Sequence, residues 1–448
     1  MWPLKTILFF GLFWVGCLLS VFNPIWGVVT YVMIYQTDPP SKWWGIPLSG
    51  MEIRYALVAF LAIVIGLVVG KRDHIKTVRF ISSWEWCIVA MVTIGSLNLL
   101  RGEVTDEYTE LVFAKFWKML LFVIIFCHIV TTRRNFRIFL WALVVGSLSL
   151  GYDAYTAPAA EYAHGRLNEV GGPDFATTSG LAAHMSAMLP LIGVSAIIAI
   201  NWRWRVLATV AGAFAANAII LCRTRGAFIG IAVGTMVALV MVPRGKKLRL
   251  RLLLGVAAIG TFALTDNYYW ERIATLIDPR LVETDGATSR RLDIWKVTPR
   301  ILRDHPLGIG VGRFTKVVGV YDEALYRRAS HNTVILCTVE FGIPGVFLII
   351  LLTTLPLWYL YRVSKLAHRC EAPAETRYLV YGLLVSITTY FVAGLGTERL
   401  YCESYWWVHA LPLCLYRVVL GEVHQNEPHL EPLSEPLSAG EISLAAPY

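Results

Sequence analysis

The sequence predicts an all-α polytopic membrane protein with about twelve transmembrane helices and one large, partly helical loop. Of its 448 residues, 56% are hydrophobic and only 16% are charged, whereas a soluble chain of this length needs far more polar surface to cover its core. The apolar residues also fall in blocks of about 15 to 25 separated by charges, as helices that span a hydrocarbon core of ~30 Å require. Soluble enzymes, nucleic-acid modules and secreted disulfide scaffolds are thereby excluded.

The predicted spans follow the apolar blocks along the chain, since most have helical lengths and few internal charges. They cover 53–70, 84–100, 117–130, 138–155, 179–200, 206–222, 226–242, 252–265, 333–361, 378–396 and 404–420. Ahead of them, 6–36 is apolar throughout but broken at Asn23-Pro24. It is either one long kinked span or two short membrane-dipping helices. If it crosses once, about twelve helices result, with both termini inside.

Basic residues in the short connections set the predicted orientation. The basic connections are 71–79, 131–137, 201–205, 243–251 and 362–377. They alternate with the spans, so all five can face the cytoplasm together. The outer face then holds 37–52, 101–116, 156–178, 223–225, 266–332 and 397–403. The excess of 40 Lys and Arg over 31 acidic residues is explained by this bias and by anionic headgroups rather than by nucleic acid.

The chain divides into four predicted parts. Residues 1–265 hold the N-terminal transmembrane helices with short outer loops, 266–332 form the large outer loop domain, 333–420 hold the C-terminal helices, and 421–448 form a disordered cytoplasmic tail. A loop as long as 266–332 is uncommon without structure of its own.

Within the large loop, two stretches have helical character. They lie near 266–277 and near 289–297, and Thr288 or Ser289 can cap the second. Six of the eight cysteines of the chain lie in apolar blocks without metal-ligand spacing, so neither a disulfide framework nor a metal site or cofactor is predicted.

Arg223 and Arg225 stand in a connection of a few residues between two apolar spans, on the predicted outer face. Arginine near membrane depth is costly. Both side chains can snorkel to the outer headgroups, or they can form a fixed site for an anionic group at the membrane boundary. We favour the anion site, because ionisable residues within membranes are mostly functional.

Four motifs resemble the O-antigen ligase-like superfamily, in the same order and at span edges. They are RTRGAFIGIAVG from residue 223, SRRLDIW at 289–295, DHPLGIGVGRF at 304–314 and HNTVILCTVEFGIPGVFLI at 331–349. The superfamily comprises O-antigen ligases, O-antigen polymerases and protein O-oligosaccharyltransferases. In addition, the stretch 23–47, NPIWGVVTYVMIYQTDPPSKWWGIP, is similar to probable O-glycosylation ligases found beside exosortase systems.

The resemblance implies a glycosyltransferase of the bacterial inner membrane whose large loop is periplasmic. Its implied partners are membrane lipids, an undecaprenyl diphosphate-linked glycan as donor, and a hydroxyl of lipid A-core or protein as acceptor. The resemblance also implies that transfer takes place at the periplasmic face without a metal. The family's two essential arginines and one histidine correspond to Arg225 of the R-G motif, Arg291 four residues before Trp295, and His331 of the HN motif. Arg223 and Arg290 are their neighbours and additional candidates for binding the diphosphate.

The chemistry of these residue types fits the implied reaction. Guanidinium groups bind phosphate oxygens through two parallel hydrogen bonds and keep their charge at any relevant pH. A histidine can take the proton from the attacking hydroxyl. Arg166, in the outer segment GRLNEVGGPDF, is a further candidate contact to the donor sugar or diphosphate. Asp293 and Asp304 are the weaker candidate bases.

Structural interpretations compete with several of these roles. His331 can be a hydrogen-bond donor at the head of a span, and Arg291 can pair with Asp293 or Asp285. The glycines at 308, 310 and 312 resemble a phosphate cradle, but without strand and helix context they indicate a tight re-entry toward the membrane. We interpret Glu340, within a span, as a structural group that needs a partner.

Two alternative functions stay open. An O-antigen polymerase differs from a ligase only in extending the glycan, so it differs in its acceptor. A bicarbonate-carrier-like transporter or permease of the same superfamily is the other alternative. A transporter favours charged groups near mid-membrane and an internal repeat, whereas here the conspicuous charges lie at the outer boundary. The sequence therefore favours the enzyme.

Overall fold

The computed structural model describes residues 2–69, 81–101, 107–242, 247–265, 267–274 and 286–426. Within these residues, eight helices are long and apolar enough to cross a membrane, and two shorter ones, Tyr55–Val69 and Arg225–Met241, are apolar as well. An all-α membrane protein is thereby confirmed. The total of twelve crossings stays a prediction.

The helices carry the following labels. They are α1 (Leu4–Phe22), α2 (Ile25–Thr37), α3 (Ile46–Ser49), α4 (Tyr55–Val69), α5 (Ser83–Arg101), α6 (Glu107–Ile129), α7 (Arg133–Tyr155), α8 (Thr178–Ile198), α9 (Trp202–Cys222), α10 (Arg225–Met241), α11 (Lys247–Leu264), α12 (Asn267–Ala274), α13 (Gly286–Asp304), α14 (Phe314–Tyr321), α15 (Thr333–Arg369), α16 (Ala374–Gly394) and α17 (Glu403–Asn426). Two short strands, β1 (Tyr162–Ala163) and β2 (Arg166–Leu167), pair antiparallel between α7 and α8.

The apolar stretch 6–36 forms two helices that pack side by side in opposite directions. Gly27 of α2 lies against Ser20 of α1, and Gly16 lies against Thr30, so the contacts move outward from the break at 23–24. Thr6 then donates a hydrogen bond to the carbonyl of Trp44, beyond the end of α2. The start of α1 and the segment after α2 therefore lie at the same end of the bundle, which excludes a single long kinked span.

The longest helix, α15, is interrupted near its start. Gly342 has φ 68° and ψ −154°, a conformation that only glycine adopts readily. A Cβ atom there would lie 2.3 Å from the carbonyl oxygen of Pro306 and from the amide nitrogen of Gly308. The predicted span 333–361 is thus wrong as one continuous helix, because the backbone of another segment docks into its break.

The basic connections that the structure describes come together at one end of the bundle. Arg133 at the start of α7 donates two hydrogen bonds of 2.7 Å to Glu422, and Arg137 pairs with Glu375 at the start of α16. We call this end, with 131–137, 199–205 and 362–377, the basic end, and the opposite end the site end. Which end faces the cytoplasm stays a prediction, and 71–79 lies outside the described residues.

Near the basic end, a buried ion pair joins two helices. Arg417 of α17 donates hydrogen bonds of 2.9 and 2.6 Å to the two carboxylate oxygens of Glu85 in α5. The side chains are 6% and 0% exposed. Because both charges are desolvated, each depends on the other for compensation.

Arg417→Met is expected to destabilise the protein by about 3–5 kcal/mol, because it leaves the carboxylate of Glu85 buried without its counter-charge. Thermal unfolding of the purified protein in detergent measures the effect. Glu85→Gln in the same chain should restore much of the loss, and Arg203→Met, at an exposed position, is the control. An Arg417→Met protein as stable as the wild type would contradict this role of the pair.

Other sequence predictions are corrected in detail. The helix predicted near 289–297 runs over Gly286–Asp304, so Thr288 and Ser289 lie inside it and do not cap it. The helix predicted near 266–277 is described as Asn267–Ala274, and its remaining residues lie outside the described residues. Helix α17 continues to Asn426, past the predicted start of the tail. Residues 427–448 lie outside the described residues.

Candidate active site

The connection between α9 and α10 places its two arginines differently. Arg223 ends α9 in a left-handed conformation, with φ 49°, and Arg225 is the first residue of α10. The Nη1 of Arg223 donates a hydrogen bond of 2.6 Å to the carbonyl of Gly165. Arg223 therefore ties the connection to the neighbouring hairpin.

Arg166 is positioned by the β1–β2 hairpin. Its two turn residues, His164 and Gly165, have φ values of 49° and 68°, as a tight hairpin turn with left-handed residues requires. The Nε of Arg166, at the start of β2, lies 3.3 Å from the carbonyl oxygen of Cys222 and donates a hydrogen bond to it. The hairpin thus brings Arg166 to the end of α9, next to Arg223 and Arg225.

Three arginines from separate segments line one small cavity of about 70 Å³. Arg166 comes from the hairpin, Arg225 from the start of α10 and Arg291 from α13. The other lining residues are small or hydroxylated: Ser179, Thr224, Gly226, Ala227, Ala393, Gly396 and Thr397. The cavity is therefore positively charged and has narrow walls with hydroxyl groups. Such a cavity suits a phosphate-bearing ligand.

His331 lies in the turn that leads into α15. Its φ is 51°, a left-handed value that histidine tolerates better than most residues. The next residue, Asn332, caps the helix, because its side-chain oxygen accepts hydrogen bonds from the amides of Val334 and Ile335 at 2.9 and 3.1 Å. The HN motif therefore has two tasks: asparagine starts the helix and histidine is held just outside it.

Glu398 is a site residue that sequence reasoning missed. Its carboxylate accepts hydrogen bonds from the backbone amides of Ser330 and His331. The preceding residue, Thr397, lines the arginine cavity, and its carbonyl accepts a hydrogen bond of 3.0 Å from the hydroxyl of Thr333. The segment after α16 thus joins the histidine turn to the cavity. The only sequence signal was an acidic residue in a short outer connection.

Helix α13 is also tied to the histidine turn. The indole of Trp295 donates a hydrogen bond of 3.3 Å to the carbonyl of Ser330. Trp295 lies one helical turn after Arg291, so the two ends of this motif reach the turn and the cavity from the same helix. The SRRLDIW motif therefore fixes the position of Arg291 relative to the turn that holds His331.

The surroundings of His331 favour its neutral form. Burial lowers the pKa of His331 below its ordinary value, and the positive charges of Arg291 and Arg328 lower it further. The carboxylate of Glu398 raises it, but less than the other effects lower it. At neutral pH the imidazole is therefore unprotonated and able to accept a proton.

The carboxylate of Glu340 in α15 holds the glycine-rich segment 304–314 by hydrogen bonds. Gly308, Gly310 and Gly312 all have positive φ values, between 76° and 92°. One carboxylate oxygen of Glu340 accepts hydrogen bonds from the amides of Gly312 and Phe314 at 3.0 and 3.3 Å. The hydroxyl of Tyr401 donates to its other oxygen. These amides face a buried carboxylate, so they do not form a phosphate cradle.

The remaining candidates lie elsewhere. Asp293 pairs with Lys296 at 2.9 Å and is exposed. Asp304 accepts a hydrogen bond of 3.0 Å from the hydroxyl of Tyr321, as a turn-stabilising residue does. Arg223 does not line the arginine cavity. The side chain of Arg290 and all of Asp285 lie outside the described residues.

Residues 210–350 match the family model described as O-Antigen ligase. The match covers about a third of the chain, and this part is similar to O-antigen ligases. The match confirms the resemblance to the O-antigen ligase-like superfamily and indicates a membrane glycosyltransferase of the O-antigen ligase or polymerase type, with a glycan donor and an acceptor. The matched segment includes Arg225, Arg291 and His331, whereas Arg166 and Glu398 lie outside it. A comparison with curated proteins finds no match.

Proposed function

We propose that this protein transfers a glycan from undecaprenyl diphosphate to an acceptor hydroxyl of lipid A-core or protein. The reaction takes place at the periplasmic face of the bacterial inner membrane and needs no metal ion. The observation that carries the proposal is the arginine cavity, with Arg166, Arg225 and Arg291, beside a histidine whose surroundings keep it neutral.

The arginines act on the leaving group. As the bond between the sugar carbon and the diphosphate oxygen breaks, negative charge grows on the diphosphate. Guanidinium groups held in place around that oxygen stabilise the transition state more than the ground state, which lowers the barrier. We assign this role to Arg225 and Arg291, with Arg166 as a further contact. Arg223 and Arg290 flank them.

His331 acts on the acceptor. A sugar or protein hydroxyl is a poor nucleophile until its proton is being removed. The neutral imidazole accepts that proton while the hydroxyl oxygen forms the new bond to the sugar carbon, and undecaprenyl diphosphate leaves. Glu398 is a positioning residue, because its carboxylate holds the backbone amides of Ser330 and His331.

The pH profile tests the role of His331 as a base. Since only the neutral form accepts a proton, the rate should fall as the pH drops through its lowered pKa. Arg328→Gln removes one of the charges that lower this pKa, so the acid limb of the rate profile should move to higher pH. Arg327→Gln removes the neighbouring charge, which does not contribute to this shift, and serves as the control. An unmoved limb in Arg328→Gln would argue against His331 as the titrating group.

The acceptor distinguishes the members of the superfamily. The similarity of 23–47 to O-glycosylation ligases favours a protein or glycan acceptor outside lipopolysaccharide, and a polymerase would extend the glycan itself. The transporter alternative favours charged groups that converge near mid-membrane, whereas the arginine cavity lies at the site end.

Reconstitution tests the function. Purified protein in liposomes is given a synthetic undecaprenyl diphosphate-linked glycan with lipid A-core, an acceptor peptide or the glycan alone, and products are identified by mass spectrometry. We expect the glycan on one acceptor, release of undecaprenyl diphosphate and an unchanged rate in EDTA. Glycan or bicarbonate crossing the liposome membrane without any bond formation would favour a transporter.

A further inference from the structure

A large groove runs along α7 at a distance from the arginine cavity. It has a volume of about 830 Å³ and lies between α2, α7 and the connection from α8 to α9. Its apolar walls include Trp26 and Met33 of α2 and Trp141 and Val145 of α7. The rings of Trp141 and Trp204 lie 4.7 Å apart and close one side. The lining residues of α7 extend from Arg133 to Ser149, about 24 Å at 1.5 Å per residue.

The charged residues that line the groove all lie at the basic end of the bundle. Arg133, Arg134 and Arg137 line it there. Glu422 pairs with Arg133, and Glu375 pairs with Arg137. The three arginines therefore face two carboxylates. Arg134 is exposed and forms no ion pair with the residues that the structure describes. The Nη1 of Arg133 is buried and has no hydrogen-bond partner among them. This Nη1 also lies 3.7 Å from a carboxylate oxygen of Glu375, so Arg134 is the group that can donate to an anion.

The groove is separate from the proposed diphosphate site. Its arginines are at the first turn of α7, whereas the hairpin with Arg166 follows the last turn. The 23 residues of α7 place about 34 Å between these two ends. A lipid whose phosphate binds Arg134 therefore belongs to the opposite leaflet from one whose diphosphate binds Arg225.

We propose that this groove binds an anionic membrane phospholipid, with its acyl chains along α7 and its phosphate at Arg134. The shape of the groove, its length and the position of its one uncompensated charge match a lipid with a long apolar part and a negative head. Basic residues at a membrane boundary attract such headgroups, and tryptophans at this level fit the interface between the two parts. The site is independent of glycan transfer.

Lipid retention tests the proposal. The full-length protein is reconstituted in nanodiscs with equal amounts of phosphatidylglycerol and phosphatidylcholine of the same chains, extracted in detergent, and analysed for bound lipid by native mass spectrometry. We expect the wild type to retain phosphatidylglycerol preferentially. Arg134→Gln should lower that retention about fivefold, as the loss of one headgroup contact implies. Arg205→Gln, an exposed arginine of the same end outside the groove, should have no effect.

A second pair of variants tests the acyl-chain part. Val145→Trp fills the groove and should reduce retention of both phospholipids, whereas Val206→Trp, at a similarly exposed position outside the groove, should not. Equal retention of the two phospholipids by the wild type would overturn the proposal. So would equal losses in Arg134→Gln and Arg205→Gln. If the Val145→Trp variant does not fold, the comparison of Arg134→Gln with Arg205→Gln still tests the proposal.

Discussion

Replacing Arg225 with lysine is expected to lower the rate of glycan transfer about 100- to 1,000-fold. The positive charge remains, but the planar fork that binds two phosphate oxygens at once is lost. Removing one donor that acts on transition-state charge has effects of this size. The measurement is the initial transfer rate in liposomes at matched protein levels.

Arg223 supplies a matched control for this variant. It is in the same connection, but its guanidinium donates to the carbonyl of Gly165 and does not line the arginine cavity. Arg223→Lys should therefore lose far less activity than Arg225→Lys. Full activity of Arg225→Ala at a normal protein level would exclude Arg225 from the reaction.

Replacing His331 is expected to abolish transfer while donor binding and stability persist. The loss of a general base costs about 100- to 10,000-fold. His331→Gln replaces one hydrogen bond of the ring, and His331→Asn additionally keeps a residue type that tolerates the left-handed backbone at φ 51°. Transfer rate, binding of the labelled donor and thermal unfolding are measured on the same preparations.

The binding measurement separates the two interpretations of His331. If the histidine is only structural, both variants should unfold more easily and keep their turnover per folded molecule. A stable His331→Asn protein that transfers glycan at the wild-type rate would move the proton transfer to another residue.

Much of the fold is predictable from the sequence, because each helix that crosses a membrane needs an apolar stretch of sufficient length. Helices α5 and α7 to α10 agree with the predicted blocks to within five residues at each end, whereas α6 begins at Glu107, ten residues before its predicted block. The stretch 6–36 was left open, since hydropathy does not distinguish a kinked helix from two antiparallel ones. That choice depends on contacts such as Gly27 against Ser20. The break at Gly342 depends likewise on the segment that docks into it.

The candidate site was predictable in its residues but not in its arrangement. Arginines near membrane depth stand out in any sequence, because they are costly there. Whether Arg223 or Arg225 reaches the cavity depends on one left-handed residue at the end of α9. Glu398 could not be found, because an acidic residue in a short loop gains its role only when the fold brings that loop to His331.

The central claim is that Arg291 and His331, from separate segments, act together in one transfer reaction. A double-mutant cycle tests it most directly: the transfer rate is measured for the wild type, Arg291→Ala, His331→Gln and the double variant. Residues that act as a unit lose activity far less than multiplicatively when removed together. We therefore expect the double variant to be about as slow as the slower single variant. Losses that multiply fully would show that the two residues act independently and would contradict this account.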